Sequence, residues 1–464
     1  MRQEQRATAL AYSNAHRHIF RKDLEELLAI PSVSTDPEHG KDVLRAAEWL
    51  SAAIGGLGAT SVEILPTEGK PIVWGELRAT DPAAPTVLVY GHYDVQPVDP
   101  LELWQSDPFT AVEREDSLYA RGASDMKGQV IASLAALRAI CSTGASPVHV
   151  RFLLEGEEEI GSPSLESSID RYRDKFSADL CLNPDVGMLA PESPTITYGL
   201  RGLAYFEVRL QGPARDLHSG IFGGAVQNPA HVLCELIAGL HDGTGRVTLP
   251  GFYDRVRELS PEERRELARL PVTDEVVLAQ TEAPVLYGEK GYTTVERIGA
   301  RPTLEVNGLV SGFTGTGAKT VLPSKASAKI STRLVPDQDP AEIRDMLIEY
   351  FRKNAPATVT HEVEVLALGP PLVTERDNRG NRALARALRS VWGSDPLYKR
   401  EGGSVPVSIY LERALGMPSV LTGFGLPDDN LHAPNEKLHL PTWYRGIDAL
   451  IHFFYNMAEP EEEA

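Results

Sequence analysis

The stretch that most restricts how this chain can fold is Leu153-Leu154-Glu155-Gly156-Glu157-Glu158-Glu159-Ile160-Gly161-Ser162. It follows Val148-His149-Val150-Arg151-Phe152, whose apolar, β-branched and aromatic content predicts a buried strand. Three consecutive carboxylates at the end of such a strand raise one another's pKa unless a cation compensates. A divalent metal does so by taking one carboxylate as a ligand and leaving a neighbour as a base. An isolated Glu-Glu-Glu is more often a solvated acidic turn, so the decision rests on the rest of the chain.

Three further polar positions repeat the pattern. Thr86-Val87-Leu88-Val89-Tyr90 reads as a strand and leads into Gly91-His92-Tyr93-Asp94-Val95-Gln96-Pro97, where the period of two puts His92 and Asp94 on one side. A metal-bound histidine needs such a carboxylate nearby. Asp125 lies in Tyr119-Ala120-Arg121-Gly122-Ala123-Ser124-Asp125-Met126-Lys127-Gly128, where a strand yields to a helix over 128–140; alone it reads as an N-cap. Asp185 follows the strand Ala178-Asp179-Leu180-Cys181-Leu182 and alone reads as a turn residue.

The gaps from His92 to Asp125, Asp125 to Glu159 and Glu159 to Asp185 are 33, 34 and 26 residues. Each is about one strand–helix–strand unit of roughly 30 residues. Each residue also lies just beyond the carboxyl end of a predicted strand, where open α/β sheets bind ligands. One imidazole and three carboxylates there suit zinc or manganese, though they fall short of two tetrahedral ions. His432, in Asn430-Leu431-His432-Ala433-Pro434-Asn435-Glu436-Lys437, is 247 residues beyond Asp185. It reads as a loop histidine, and joins the site only if the last segment packs back on the first.

The remaining texture predicts an α/β chain interrupted by an insertion. A helix is expected over 5–30, another over 42–54, and strands at 62–65 and 72–77. From about Leu200 the order becomes strand, helix, two strands, helix, strand, the split βαβ arrangement. The domains expected are 1–199 (first part of a mostly parallel-sheet, three-layer catalytic domain), 200–369 (an inserted α+β, ferredoxin-like lid or dimerisation domain) and 370–464 (the second part of the catalytic domain). The excursion 243–300 reads as mostly surface. Sixty-five acidic against 46 basic residues give a formal charge of −19, which argues against nucleic acid and anionic membranes. Cys141, Cys181 and Cys234 suggest no disulfide framework, and no signal peptide or membrane span is evident, so a soluble cytoplasmic protein is expected.

Taken together, the motifs GHYDVQP, YARGASDMKG, EGEEEIGS, NPD, DLHSG, GAKTVLPSK, TRLVP, REGGS and HAPNEK resemble those of the carnosinase-type dipeptidases. These belong to the di-metal peptidase family that includes aminoacylases, carboxypeptidase G, acetylornithine deacetylase and succinyl-diaminopimelate desuccinylase. The resemblance runs in order from about Ile30 to Leu440. It implies two divalent ions per chain, zinc or manganese, one held by His92, Asp125 and Asp185 and the other by Asp125, Glu159 and His432. It further implies Glu158 as general base, Asp94 as the residue that orients His92, and a cis peptide after Asp125. His218 resembles a histidine that family dimers supply across the subunit interface, and Thr320, Arg333, Gly403 and Ser404 match positions that hold substrate. The implied activity is hydrolysis of the peptide bond of dipeptides by a water that the metals activate, in a homodimer joined through the inserted domain. The nearest rival is a deacylase of N-acyl amino acids; a binding protein that kept the fold has no need of a base beside the metals.

Overall fold

The computed structural model describes residues 2–403 and 406–460, which form two compact units. One comprises Met1–Tyr198, Thr374–Lys399 and Val405–Ala464; the other comprises Gly199–Val373 and Arg400–Ser404.

The first unit is built on a large mixed sheet. Its strands run in the order Ser61–Leu65, Ile72–Leu77, His149–Glu155, Thr86–His92, Leu180–Asn183, Ser419–Leu421 and Thr195–Leu200. The centre is parallel: Thr86–His92 pairs in parallel with His149–Glu155 and with Leu180–Asn183, and Leu180–Asn183 does so with Ser419–Leu421. The flanking pairings are antiparallel. Strands at the centre of a parallel sheet are covered on both faces and read as continuous apolar runs, as Val87–Tyr90 and Phe152–Leu154 do.

Helices cover both faces. On one, Ile54 of helix Gly40–Gly55 lies over Gly75, Val130 of helix Lys127–Cys141 over Gly91, and Gly380 of helix Arg379–Trp392 against Leu180 and Val420. Helix Lys127–Cys141 is buried on nearly every side, because Leu440–Met457 and the N-terminal helices pack behind it. On the other face, Ser408 of helix Pro406–Leu415 accepts a hydrogen bond from Asn183. The single helix expected over 5–30 is two, Arg2–Ala15 and Arg17–Leu28, because the chain breaks at His16, whose ring stacks on Tyr12. Among the described residues no helix is long and apolar enough to cross a membrane.

The second unit holds a four-stranded antiparallel sheet in the order Thr303–Ser311, Lys325–Leu334, Gly202–Gln211, Thr360–Gly369. Helices Pro229–Ala238 and Pro340–Asn354 cover one face, burying Phe206, Val208, Leu233, Ile330, Leu347 and Phe351 in one core. The connection 243–300 is more firmly anchored than its charge suggests. Leu249 and Phe252 enter that core, and Glu289 pairs with Arg246 and with Arg301.

Gly128 shows how closely the first turn of its helix approaches the preceding loop. A Cβ there would lie 2.1 Å from the Ala123 carbonyl oxygen. Alanine is the better helix former by about 1 kcal/mol, but overpacking of this kind costs about 1–3 kcal/mol. Gly128→Ala should therefore lower the denaturation midpoint of the metal-free protein; a raised midpoint would show that the loop gives way without cost.

Candidate metal centre

The strand endings of the first unit bring its polar residues together. His92 is the last residue of its strand and fully buried; its Nε2 lies 3.1 Å from Asp125 Oδ1 and 3.8 Å from Asp185 Oδ1. Asp185 follows the strand Leu180–Asn183, and its backbone N–H is held by Asn183 Oδ1 at 3.0 Å in an Asx turn. Asp125 does not cap the helix that follows it; Met126 occupies the cap position, and the Asp125–Met126 peptide is cis. The Asp125 carboxylate instead lies between two histidines, with His432 Nε2 2.9 Å from Oδ2. His432 Nε2 is also 3.3 Å from Glu159 Oε2.

Two triads result, His92–Asp125–Asp185 and Asp125–Glu159–His432, each with donor atoms within 4.8 Å of one another. Asp125 belongs to both. Each triad mixes one imidazole with two carboxylates, which fits a divalent cation of hard-to-borderline character.

Asp94 fixes the arrangement from beneath. It is fully buried, and its Oδ1 and Oδ2 accept the backbone N–H groups of Glu158 and Glu159 at 3.2 and 3.1 Å. Its Oδ1 also lies 3.5 Å from His92 Nδ1, which is 3.1 Å from the Asp94 carbonyl oxygen. One carboxylate thus sets both the histidine and the short helical turn Glu158–Ile160. Within the acidic run the three side chains part company. Glu157 turns away to accept the Lys70 N–H at 2.9 Å, Glu159 meets His432 and accepts Gln96 Nε2 at 2.7 Å, and Glu158 stays half-buried beside the triads.

The electrostatics are those of crowded anions. Burial, reinforced by neighbouring carboxylates, pushes Glu159 up to about 7 and Asp185 up to about 6. Burial also drives Glu158 well above the usual carboxylate range, with His92 opposing and Asp185, Asp125 and Glu159 adding to the shift. Burial would lower the His92 pKa, but hydrogen bonds to Asp125 and Asp94 outweigh it and hold it well above its ordinary value. Asp125 is the exception: burial opposes, yet hydrogen bonds with His432 and His92 keep its carboxyl below the usual range. The crowding thus favours either protons or a cation at these positions.

The substrate-binding residues expected from sequence belong to the second unit. His218 and Thr320 are exposed neighbours on a two-residue ribbon: Leu217–His218 pairs with Val321–Leu322, and the Ser219 N–H donates to the Thr320 carbonyl at 3.1 Å. His218 Nδ1 accepts the Gly220 N–H at 3.0 Å. Arg333 is half-buried and lines a cleft of about 400 Å³ with Arg201, Arg297, Arg301 and His241. Gly403 is exposed, and Ser404 lies outside the described residues.

Three residues to which the sequence assigns no role support the candidate ligands. Gln96 holds Glu159, Asp429 accepts Ser124 Oγ at 2.8 Å, and Glu436 accepts the backbone of the Asp125 loop. Burial pushes the Glu436 carboxyl up, while Arg121 and the backbone N–H donors pull it back. Gln96 and Glu436 share short motifs with candidate ligands, whereas Asp429 lies just before one and carries no sequence signal of its own.

A model of the peptidase family M20/M25/M40 matches residues 88–456. The chain is 33% identical over 459 residues to a Cys-Gly metallodipeptidase of Candida albicans, covering 94% of each. It is 30% identical over 469 residues to the human Beta-Ala-His dipeptidase, covering 97% of this chain and 92% of that protein. Among solved structures, the M20 family metallo-carboxypeptidase Sso-CP2 from Sulfolobus solfataricus superposes with a TM-score of 0.86 at 33% identity, covering 95% of this chain and 99% of that one. Human carnosine dipeptidase 1 gives 0.84 at 30% identity, with 98% of each covered.

The crowding has a pH signature. Glu159, Asp185 and His92 keep protons in the folded metal-free protein at pH values where the unfolded chain has released them. Between pH 5 and 7 the folded state therefore binds more protons, so its stability falls as pH rises. Calorimetric midpoints of chelator-treated protein should be higher near pH 5 than near pH 7, and a divalent ion added at pH 7 should raise them again, because binding displaces those protons. A midpoint that climbs with pH across that window in chelator would contradict the assignment.

Proposed function

The chain belongs to peptidase family M20/M25/M40, and we propose that it is a metal-dependent dipeptidase that cleaves the single peptide bond of a dipeptide in a two-ion site. The observation that carries this reading is the pair of donor triads sharing Asp125, with the half-buried Glu158 beside them. The names of relatives that match nearly end to end support the substrate class: a Cys-Gly metallodipeptidase and a Beta-Ala-His dipeptidase.

His92, Asp125 and Asp185 would hold one divalent ion and Asp125, Glu159 and His432 the other, zinc or manganese by their mixture of imidazole and carboxylate. When bound, such ions supply Lewis-acid polarisation of the peptide carbonyl and lower the pKa of water at the site. Glu158 takes the proton of the attacking water and delivers it to the leaving amine nitrogen. Asp94 keeps Glu158 in reach through the Glu158 N–H and keeps His92 in one orientation, so the base and the first ligand move together if Asp94 moves. Arg333 receives the free carboxylate of the substrate with the forked geometry of a guanidinium. Thr320, Gly403 and Ser404 hold the substrate backbone. His218 donates to the developing oxyanion, supplied across a homodimer joined through the unit that contains it. The three free cysteines, far apart in sequence, fit a reducing compartment such as the cytoplasm.

Glu158→Gln should retain both ions by elemental analysis and lose about 10²–10⁴-fold in kcat; near-normal turnover would remove Glu158 from the role of base. Dipeptides and N-acetyl amino acids, offered with Mn²⁺ or Zn²⁺, separate the proposed activity from a deacylase: the dipeptides should have the larger kcat/KM.

His218→Ala should be slow alone, by about 10²–10³-fold as for loss of one oxyanion donor. Mixing it with Glu158→Gln should restore activity in hybrid dimers, and absence of recovery would count against a shared site.

A further inference from the structure

The residue common to both triads, Asp125, sits at the end of a loop, Arg121–Asp125, that is gripped by a segment more than 300 positions further along. Glu436 is fully buried and uses both oxygens. Its Oε1 accepts the backbone N–H groups of Ser124 and Asp125, both at 3.0 Å. Its Oε2 accepts the Gly122 N–H at 2.9 Å and Arg121 Nη1 at 2.7 Å. Arg121 reaches onward with Nη2 to the Pro97 carbonyl at 3.0 Å, three residues past Asp94. Asp429 makes a second grip: its Oδ2 accepts Ser124 Oγ and the Leu426 N–H, both at 2.8 Å.

His432 lies between these two anchors. Asp429 and Glu436 are buried, but Asn430, Leu431 and His432 between them are exposed. Asn430, His432 and Asn435 have φ of 55, 61 and 62°, the left-handed region that side chains other than glycine adopt at a cost. The loop therefore has little packing of its own to hold His432 in place. Asn435 is tied to Gln105 and Leu103 by hydrogen bonds of 2.9 Å, and the two ends of the loop, Asp429 and Glu436, are tied to the loop that carries Asp125.

We propose that Glu436, backed by Asp429, is a positioning residue that brings His432 and Asp125 into one ligand set. This rests on the two-ion reading of the site and adds a prediction specific to one of its halves. The Asp125–Glu159–His432 set takes two of its three members from the loops that Glu436 joins. The His92–Asp125–Asp185 set takes two of its three members from strand endings that Glu436 does not touch. Loss of the carboxylate should weaken the two ions unequally. A carboxylate that merely stabilised the fold would lower the melting temperature and leave the ratio of the two affinities alone.

The test is calorimetric titration of chelator-stripped protein with Mn²⁺, comparing wild type, Glu436→Gln, Ser124→Ala and His432→Ala, with circular dichroism to establish folding. Glutamine presents an NH₂ group to N–H donors that need an oxygen, so Glu436→Gln should weaken the second equivalent by about 10–100-fold, the usual range for residues that orient metal ligands. The first equivalent should change by no more than several-fold. Ser124→Ala removes one hydroxyl and no charge, and should shift the same ratio in the same direction by less; it carries the test if Glu436→Gln does not fold. Wild type binding two ions, with His432→Ala losing the second while Glu436→Gln and Ser124→Ala keep the wild-type ratio, would overturn the positioning role alone. Fewer than two ions in wild type would overturn the two-ion reading, and the positioning role with it.

Discussion

The first unit depends on a single electrostatic problem, the burial of several carboxylates at the carboxyl ends of neighbouring strands. Asp125 is the only one of the four triad and base carboxylates held below its ordinary pKa, because a histidine approaches each of its oxygens. Glu158, Glu159 and Asp185 are pushed the other way. Such a cluster is costly in a metal-free fold and becomes favourable once cations replace the protons. The scaffold is organised to keep that arrangement rigid. The central strands are buried on both faces, and the helix after Asp125 is enclosed almost completely.

The same problem explains why so much of the surrounding hydrogen bonding is spent on orientation. Asp94 grips the backbone of Glu158 and Glu159 while facing His92, and Gln96 two residues later holds the Glu159 side chain. Below them Tyr90 donates to Glu155 at 2.9 Å, a buried carboxyl that burial raises to about 8. Ligands and base thus share one supporting layer. A disturbance in that layer reaches metal affinity and proton transfer together.

Much of the architecture was legible in the sequence because it follows from short-range periodicity. Continuous apolar runs marked the central strands, and the roughly thirty-residue spacing of His92, Asp125, Glu159 and Asp185 placed four side chains on one edge of a sheet. The convergence of His432 was not legible from spacing, since 247 intervening residues carry no period; only resemblance suggested it. The roles of Glu436 and Asp429 were invisible for a related reason. Each acts by accepting backbone or hydroxyl hydrogens from residues some 300 positions away, and such contacts leave no local pattern. Asp125, which alone reads as an N-cap, is drawn instead to two histidines that are distant in sequence, and the helix expected over 5–30 is divided at His16. Likewise the charge of 243–300 concealed Leu249 and Phe252, whose partners lie on other elements.

The late position of His432 has a consequence for the birth of the molecule. Four of the five candidate ligands are synthesised by the time the chain reaches Asp185, but the fifth follows only 247 residues later. A nascent chain that has not reached His432 contains His92, Asp125 and Asp185, yet it lacks the partner that completes the other half. The order of translation itself therefore delays a complete peptide-cleaving centre until the closing segment has docked.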